Sequence, residues 1–196
     1  MRASSQRYSP YPRERYATVK KRFVKKLAYI VLIFILSCNG SKNTTEITQS
    51  NYELSESDYV ILPFKEKWHR IFKNANPTEL TQTELTEIED ILKIAVDKNN
   101  QAQKEYLEKQ NLENPKYKRK KTGFELKLNG YKRQYVPVIN EMGEKEIWIN
   151  FFCSDFGSDN WKTDLFTVFD GGNCFWNIKV NLTKKEYYEL GINGYA

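Results

Sequence analysis

A single histidine, His69, limits the catalytic chemistry open to this chain. Ser-His and Cys-His nucleophiles, and histidine-rich metal sites, would all have to be assembled around that one imidazole. It stands in Lys67-Trp68-His69-Arg70, a polar setting that reads as surface rather than as a ligand shell. No glycine-rich phosphate loop with its lysine is present. Cys153 and Cys174 have neither a neighbouring histidine nor a Cys-x-x-Cys spacing, so neither reads as a catalytic thiol. Asp155, Asp159, Asp164 and Asp170 lie among Gly157, Ser158, Asn160, Gly171, Gly172 and Asn173. Oxygen ligands on a loop suit calcium, but this spacing matches no EF-hand, and Asp and Gly also build ordinary turns. Asp170-Gly171-Gly172-Asn173 is therefore read as a turn, with no metal, no cofactor and no catalytic residue expected.

Binding is the better expectation than catalysis. Trp68, Trp148, Trp161 and Trp176 stand among 13 Tyr and 11 Phe, and aromatics in strands mostly serve the core and cross-strand pairs. Trp148 and Trp176 alternate with polar neighbours and are expected inside. Trp161, in a polar loop, is expected outside, where with Asp170 and Asn173 it would border a contact surface for a protein or glycan ligand.

The elements that position these residues are legible in the periodicity. Tyr59-Val60-Ile61-Leu62 reads as a short strand ended by Pro63, and Trp68, Ile71 and Phe72 as one packed turn. Thr81 and Glu84 form a capping box, with Leu80 and Leu85 at the staple positions, so a helix starts there. Leu85, Ile88, Leu92, Ala95, Asn99, Ala102 and Tyr106 recur every three or four residues and define its inner stripe. Asn99-Asn100 weakens the middle and Pro115 stops the helix. After Gly123 the period becomes two. Tyr131 to Ile139 and Lys145 to Cys153 flank a five-residue loop, and Cys174 to Leu182 turns through Thr183-Lys184-Lys185 into Glu186 to Asn193, giving two hairpins. One long amphipathic helix packed on a curved antiparallel sheet of about four strands is an α+β fold. This element order resembles the cystatin-like and nuclear-transport-factor-like (NTF2-like) groups, a resemblance that carries no catalytic motif.

The N-terminus reads as an address. Lys20, Lys21, Arg22, Lys25 and Lys26 precede a ten-residue apolar run, Leu27 to Leu36, and Ser37-Cys38 follows. Ten residues are too few to span a hydrocarbon core of about 30 Å, and the order of basic, apolar and small residues is that of a secretory signal. Ile35-Leu36-Ser37-Cys38 resembles the lipobox of bacterial lipoproteins. That resemblance implies that Cys38 is diacylated on sulfur and becomes the first mature residue, anchoring the protein to a membrane of the cell envelope, on its periplasmic or surface face. Residues 1–37 would then be an extended signal peptide, and Met1 to Thr18 fits an n-region so poorly that a start site assigned too far upstream is one reading and a genuinely long n-region the other. Residues 38–57 would form the anchor cysteine and a flexible linker, and 58–196 a single domain.

Charge changes meaning once the segment is divided. The chain holds 31 basic and 25 acidic residues, but residues 1–38 contain 9 of the basic ones and only Glu14 of the acidic ones. The remainder has 22 against 24, a net of −2, and offers no argument for nucleic acid. The cluster Lys116-Tyr117-Lys118-Arg119-Lys120-Lys121 reads first as a solvated connector, and second as a touch point for anionic head groups. In an oxidising envelope Cys153 and Cys174, at strand ends around one connection, are candidates for a disulfide worth about 3 kcal/mol, with a pair of buried thiols as the alternative.

Tyr131 to Ile139, Glu146 to Cys153 and Asp170 to Phe175 are similar to segments of small envelope lipoproteins of Bacteroidota. The resemblance implies export and this fold, and carries no activity. The expectation is a lipid-anchored binding or interaction module, with an envelope enzyme or a purely structural lipoprotein as alternatives.

Overall fold

The computed structural model describes residues 54–195; the expected signal peptide, Cys38 and most of the expected linker lie outside the described residues. Leu54 already packs on the core and Ser55 caps a 3-10 turn at Glu56–Asp58, so ordered packing begins a few residues before position 58. Strand β1 is Tyr59–Ile61, β2 Asn76–Pro77, helix α1 Gln82–Glu113, β3 Lys132–Ile139, β4 Lys145–Phe152, β5 Phe175–Asn181 and β6 Glu186–Ile192. The fold is α+β: one helix on one face of an open, mixed, six-stranded sheet.

Strands β3 to β6 form the antiparallel meander expected from the period-two pattern. The sheet is larger than four strands because β3 has a further edge. Its lower half takes β1 in parallel, with Tyr59 opposite Arg133, and its upper half takes β2 antiparallel, with Asn76 opposite Ile139. The break between the two falls at Val136 and Pro137, where the proline has no N–H to offer.

The helix starts as its residues dictate. Glu84 N–H donates to Thr81 Oγ1 at 3.2 Å and Thr81 N–H donates to Glu84 Oε2 at 2.8 Å. Burial works against the Glu84 charge, but the Lys145 ammonium at 2.7 Å and the Thr81 donors outweigh it and hold the carboxyl below its ordinary value. A carboxyl depressed in the folded state stabilises the fold above its unfolded pKa, and that contribution is lost as pH falls through the folded value. Thr81→Ala should therefore cost about 1 kcal/mol; an unchanged urea midpoint would show that the cap does not hold this helix end.

Leu85, Ile88, Leu92 and Ala95 are buried as the stripe requires, joined by Ile91 and Val96. Beyond Asn99 the stripe departs from expectation: Gln103 is buried, Ala102 only half-buried and Tyr106 exposed. Length explains this. A helix of 32 residues runs about 48 Å, whereas eight-residue strands run about 27 Å, so the last helical turns have no sheet beneath them. Asn99 and Asn100 do not interrupt the helix. Their amides reach across to Phe124 O at 2.9 Å and Leu126 O at 2.8 Å, and Gln103 Oε1 accepts from the Thr122 hydroxyl at 2.8 Å. Polar residues inside an apolar stripe here clip the incoming chain to the helix.

The helix-facing core gathers Tyr135, Ile147, Ile149, Phe151, Trp176, Ile178 and Val180. Among them sits Arg133, its side chain fully buried. Its guanidinium pairs with Glu89 of α1, donates to Tyr135 Oη at 3.0 Å and to Leu128 O at 2.7 Å, and lies 4.8 Å from the centre of the Phe151 ring. Burial opposes this charge; the Tyr135 and Glu89 oxygens overcome it and raise the guanidinium pKa further. The opposite sheet face carries two smaller clusters. Leu62, Trp68 and Val136 gather Phe64, Ile71, Trp148 and Leu165, while Phe152, Trp161 and Phe175 gather Phe166 and Val168. Trp176 is inside as expected; Trp148 is half-buried under the first of these clusters. No helix among the described residues is long and apolar enough to cross a membrane.

Candidate functional site: an aromatic rim closed by a disulfide

Strands β4 and β5 end together, Phe152 opposite Phe175, and the connection between them must leave and return within one strand spacing. Cys153 and Cys174 close it: they are joined in a disulfide with Cα atoms 5.1 Å apart, and Cys153 N–H donates to Cys174 O at 3.0 Å. The 20 residues between form a rim folded back over the sheet face opposite the helix.

Two sheet amides hold that rim down. Gln134 on β3 and Asn150 on β4 are register partners on the face away from α1. Gln134 Nε2 donates to Trp161 O at 2.5 Å and Asp164 O at 2.8 Å, and its Oε1 accepts from Phe166 N–H at 3.0 Å. Asn150 Nδ2 donates to Phe166 O at 2.8 Å and Gln134 Oε1 at 3.1 Å. A loop that carries backbone polar groups onto a sheet must find partners for them, and these two amides supply partners. The sequence signal for them was two amides at non-helix positions of neighbouring strands; what they would bond to was not legible.

The expected contact residues divide. Trp161 is 1 % exposed, which corrects the expectation that it stands outside. It packs edge-on against Phe152 at 5.5 Å, with the Lys132 and Lys162 ammonium groups 5.2 and 5.7 Å from its ring centre. A local polar sequence did not expose it because Gln134 pulls its own carbonyl to the sheet. Asp170 is exposed, and its carbonyl accepts from Asn193 Nδ2 at 3.0 Å. Asn173 is half-buried and structural: its Nδ2 donates to Glu125 O at 2.7 Å and its carbonyl accepts from Tyr131 Oη at 2.7 Å.

The exposed aromatics are others. Phe156 is 71 % exposed and Phe169 69 %. Phe156 and Gly157 are the central residues of a tight turn, φ +53° and +75°, closed by Ser158 N–H to Asp155 O at 3.0 Å. A left-handed backbone is uncommon for a bulky residue and costs roughly 1–2 kcal/mol. Asp155 holds the turn from both sides, accepting from Gly157 N–H at 3.1 Å and pairing with Lys132; the Lys132 ammonium depresses its pKa. The Phe156 ring lies 6.0 Å from both Phe166 and Phe175, so an apolar tip continues the buried cluster outward into solvent.

The candidate metal ligands do not converge. Asp155 faces Lys132 and Asp164 faces Lys67 at 2.6 Å, and among the described residues no three His, Cys, Asp or Glu side chains form a metal-ligating group. His69 is exposed beside the buried Trp68. Glu144 and Glu146 share a donor, both accepting from Asn181 Nδ2, at 2.8 and 3.1 Å. Glu144 is neutralised by Lys184 at 2.7 Å. Glu146 is buried beside Tyr188, whose hydroxyl pKa is raised by burial first and by Glu146 second. Both are thus tied, through Asn181, to the end of β5 where it enters the β5–β6 turn. No family model matches this chain, and neither a curated protein nor a solved structure does.

Proposed function

We propose that this chain is a lipid-anchored protein of the bacterial cell envelope, held by Cys38, whose domain acts by binding a partner through the aromatic rim. The observation that carries the binding reading is Phe156: a bulky residue in a left-handed turn, braced by Asp155 and Lys132, with most of its ring in solvent. Strain that the surroundings over-determine, at an exposed apolar tip, is a signature of a contact site. Glu144 pairs with Lys184 and Glu146 with Tyr188, so these two neighbouring carboxylates lend no support to the alternative of an envelope enzyme. The strained, exposed Phe156 favours this reading over a purely structural lipoprotein.

Two experiments test this. Cys38→Ala is expected to abolish fatty-acid labelling and release the protein from the membrane fraction; retained labelling would remove the anchor. Capture from cross-linked envelopes is expected to recover a partner with the parent protein and to lose it with Phe156→Ser combined with Phe169→Ser. Both substitutions lie at exposed positions and should leave the melting temperature within a few degrees. Equal recovery with the double variant would rule out the rim as the contact.

A further inference from the structure

The helix overhang creates a second surface on the opposite side of the sheet. Among the described residues, the last turns of α1 beyond Gln103 meet the returning chain and no strand. Asn111 grips that chain at both backbone groups of Arg119, its Nδ2 donating to Arg119 O at 2.9 Å and its Oδ1 accepting from Arg119 N–H at 2.8 Å. Between helix and strap lies an open groove of about 300 Å³ lined by Tyr106, Asn111, Tyr117, Arg119, Thr122 and Phe124 among others.

The chemistry around it is one-sided. Residues 104–121 hold seven basic side chains against three acidic ones, in a chain whose charge beyond residue 38 is slightly negative. Lys116, Lys118, Arg119, Lys120 and Lys121 are all exposed, and none forms an ion pair among the described residues. Beside them Leu112 and Tyr117 are 83 % and 82 % exposed. Unpaired cations flanking an exposed aliphatic and an exposed tyrosine match the layers of a bilayer surface, where phosphates meet lysine and arginine, and tyrosine and leucine sit at the head-group boundary.

Topology adds a reason why a membrane is the occupant. Tyr59 lies opposite Arg133 at the start of β3, and the strap leads through residues 122–131 into that same end of β3. Leu54, the first described residue, leads into β1 at that end of the sheet. We propose that the overhang and strap, Leu112 and Tyr117 with the five cations of 116–121, rest on an anionic phospholipid surface and take a head-group phosphate beside Arg119. This rests on the lipid-anchor reading and is independent of the aromatic rim, which lies on the other face.

The full chain inserted in vesicles tests it, read by amine labelling of the strap lysines and by hydrogen exchange at residues 107–121. On phosphatidylcholine mixed with phosphatidylglycerol, strap labelling should fall at least about fivefold relative to phosphatidylcholine alone, and recover in high salt. Replacing Lys116, Lys118, Arg119, Lys120 and Lys121 with Gln should remove the lipid-dependent slowing of exchange at 107–114, whereas Lys-to-Arg exchanges at the same lysines should keep it. Equal labelling on both vesicle types would overturn the proposal. Equal protection by soluble glycerol phosphate without vesicles would overturn it in favour of a small-molecule phosphate site. Phe156→Ser should leave strap protection unchanged; its loss in that variant would place the rim, not the strap, on the membrane. Failure here with Cys38 labelling intact would leave the anchor standing and remove only this surface.

Discussion

Glu89→Gln should destabilise the domain by about 3–5 kcal/mol, the cost of leaving a buried guanidinium without its carboxylate. Arg133 is fully inside, between α1 and β3, and the Tyr135 Oη and Leu128 O that it also bonds are neutral. Arg133→Met should cost less than Glu89→Gln, because it removes the charge and keeps an apolar stem against Phe151. The pair Arg133→Met with Glu89→Leu should recover most of the loss, since buried ion pairs are often replaced by packed apolar residues at little cost. Urea unfolding of Glu89→Leu, Arg133→Met and the pair closes one double-mutant cycle, with Glu89→Gln as the near-isosteric comparison. Additive losses would mean that Glu89 and Arg133 do not act as a pair.

Removing the disulfide should produce the second largest effect. With Cys153 and Cys174 both replaced by Ala, the cross-link across a sequence separation of 21 residues is lost, and the chain-entropy relation puts the cost at about 3 kcal/mol. Cys153 is exposed and Cys174 half-buried, so little packing is lost with the sulfur atoms and most of the change should come from the missing link. The rim should not detach altogether, because Gln134 and Asn150 still hold Trp161, Asp164 and Phe166. Hydrogen exchange should therefore rise first at residues 153–158 and 170–174, next to the missing link, with the Trp161 segment protected longer. A fall in stability well below 1 kcal/mol, or uniform exchange across the rim, would show that the amides and not the disulfide set the rim's order.

One glycine separates local strain from contact. Gly172 has φ +59°, and a Cβ there would lie 2.0 Å from the Tyr195 ring. Tyr195 also donates from Oη to Gly123 O at 2.8 Å, tying the chain's last described residue across the rim. Gly172→Ala should cost about 1–2 kcal/mol from the left-handed backbone alone, with an added loss for displacing Tyr195. Gly172→Ala in a Tyr195→Ala background should retain only the backbone part.

Local chemistry was enough for the elements. The Thr81–Glu84 capping box, the stop at Pro115 and the two hairpins follow from interactions spanning five residues or fewer, or from a period of two, and the structure has them within a residue or two of their expected ends. The α+β class follows too, since one amphipathic helix and a run of alternating strands can bury themselves in few ways. The expectation of export and of an anchor at Cys38 also rests on order and composition alone, in a segment outside the described residues. What tertiary structure decided are the long-range choices. Parallel pairing of β1 with β3 joins residues more than 70 positions apart and leaves no periodic trace. Arg133 goes inside because Glu89 meets it from a helix 44 positions away, a contact with no local trace. Trp161 reads as exposed because its neighbours are polar, and it is buried because Gln134, 27 positions earlier, captures its carbonyl. Phe156 is the reverse case, an apolar residue held outward by a left-handed turn that only its backbone geometry reveals. A sequence states which groups must be satisfied; which partner satisfies each is settled when distant segments meet, because those contacts depend on the register and packing of the whole sheet.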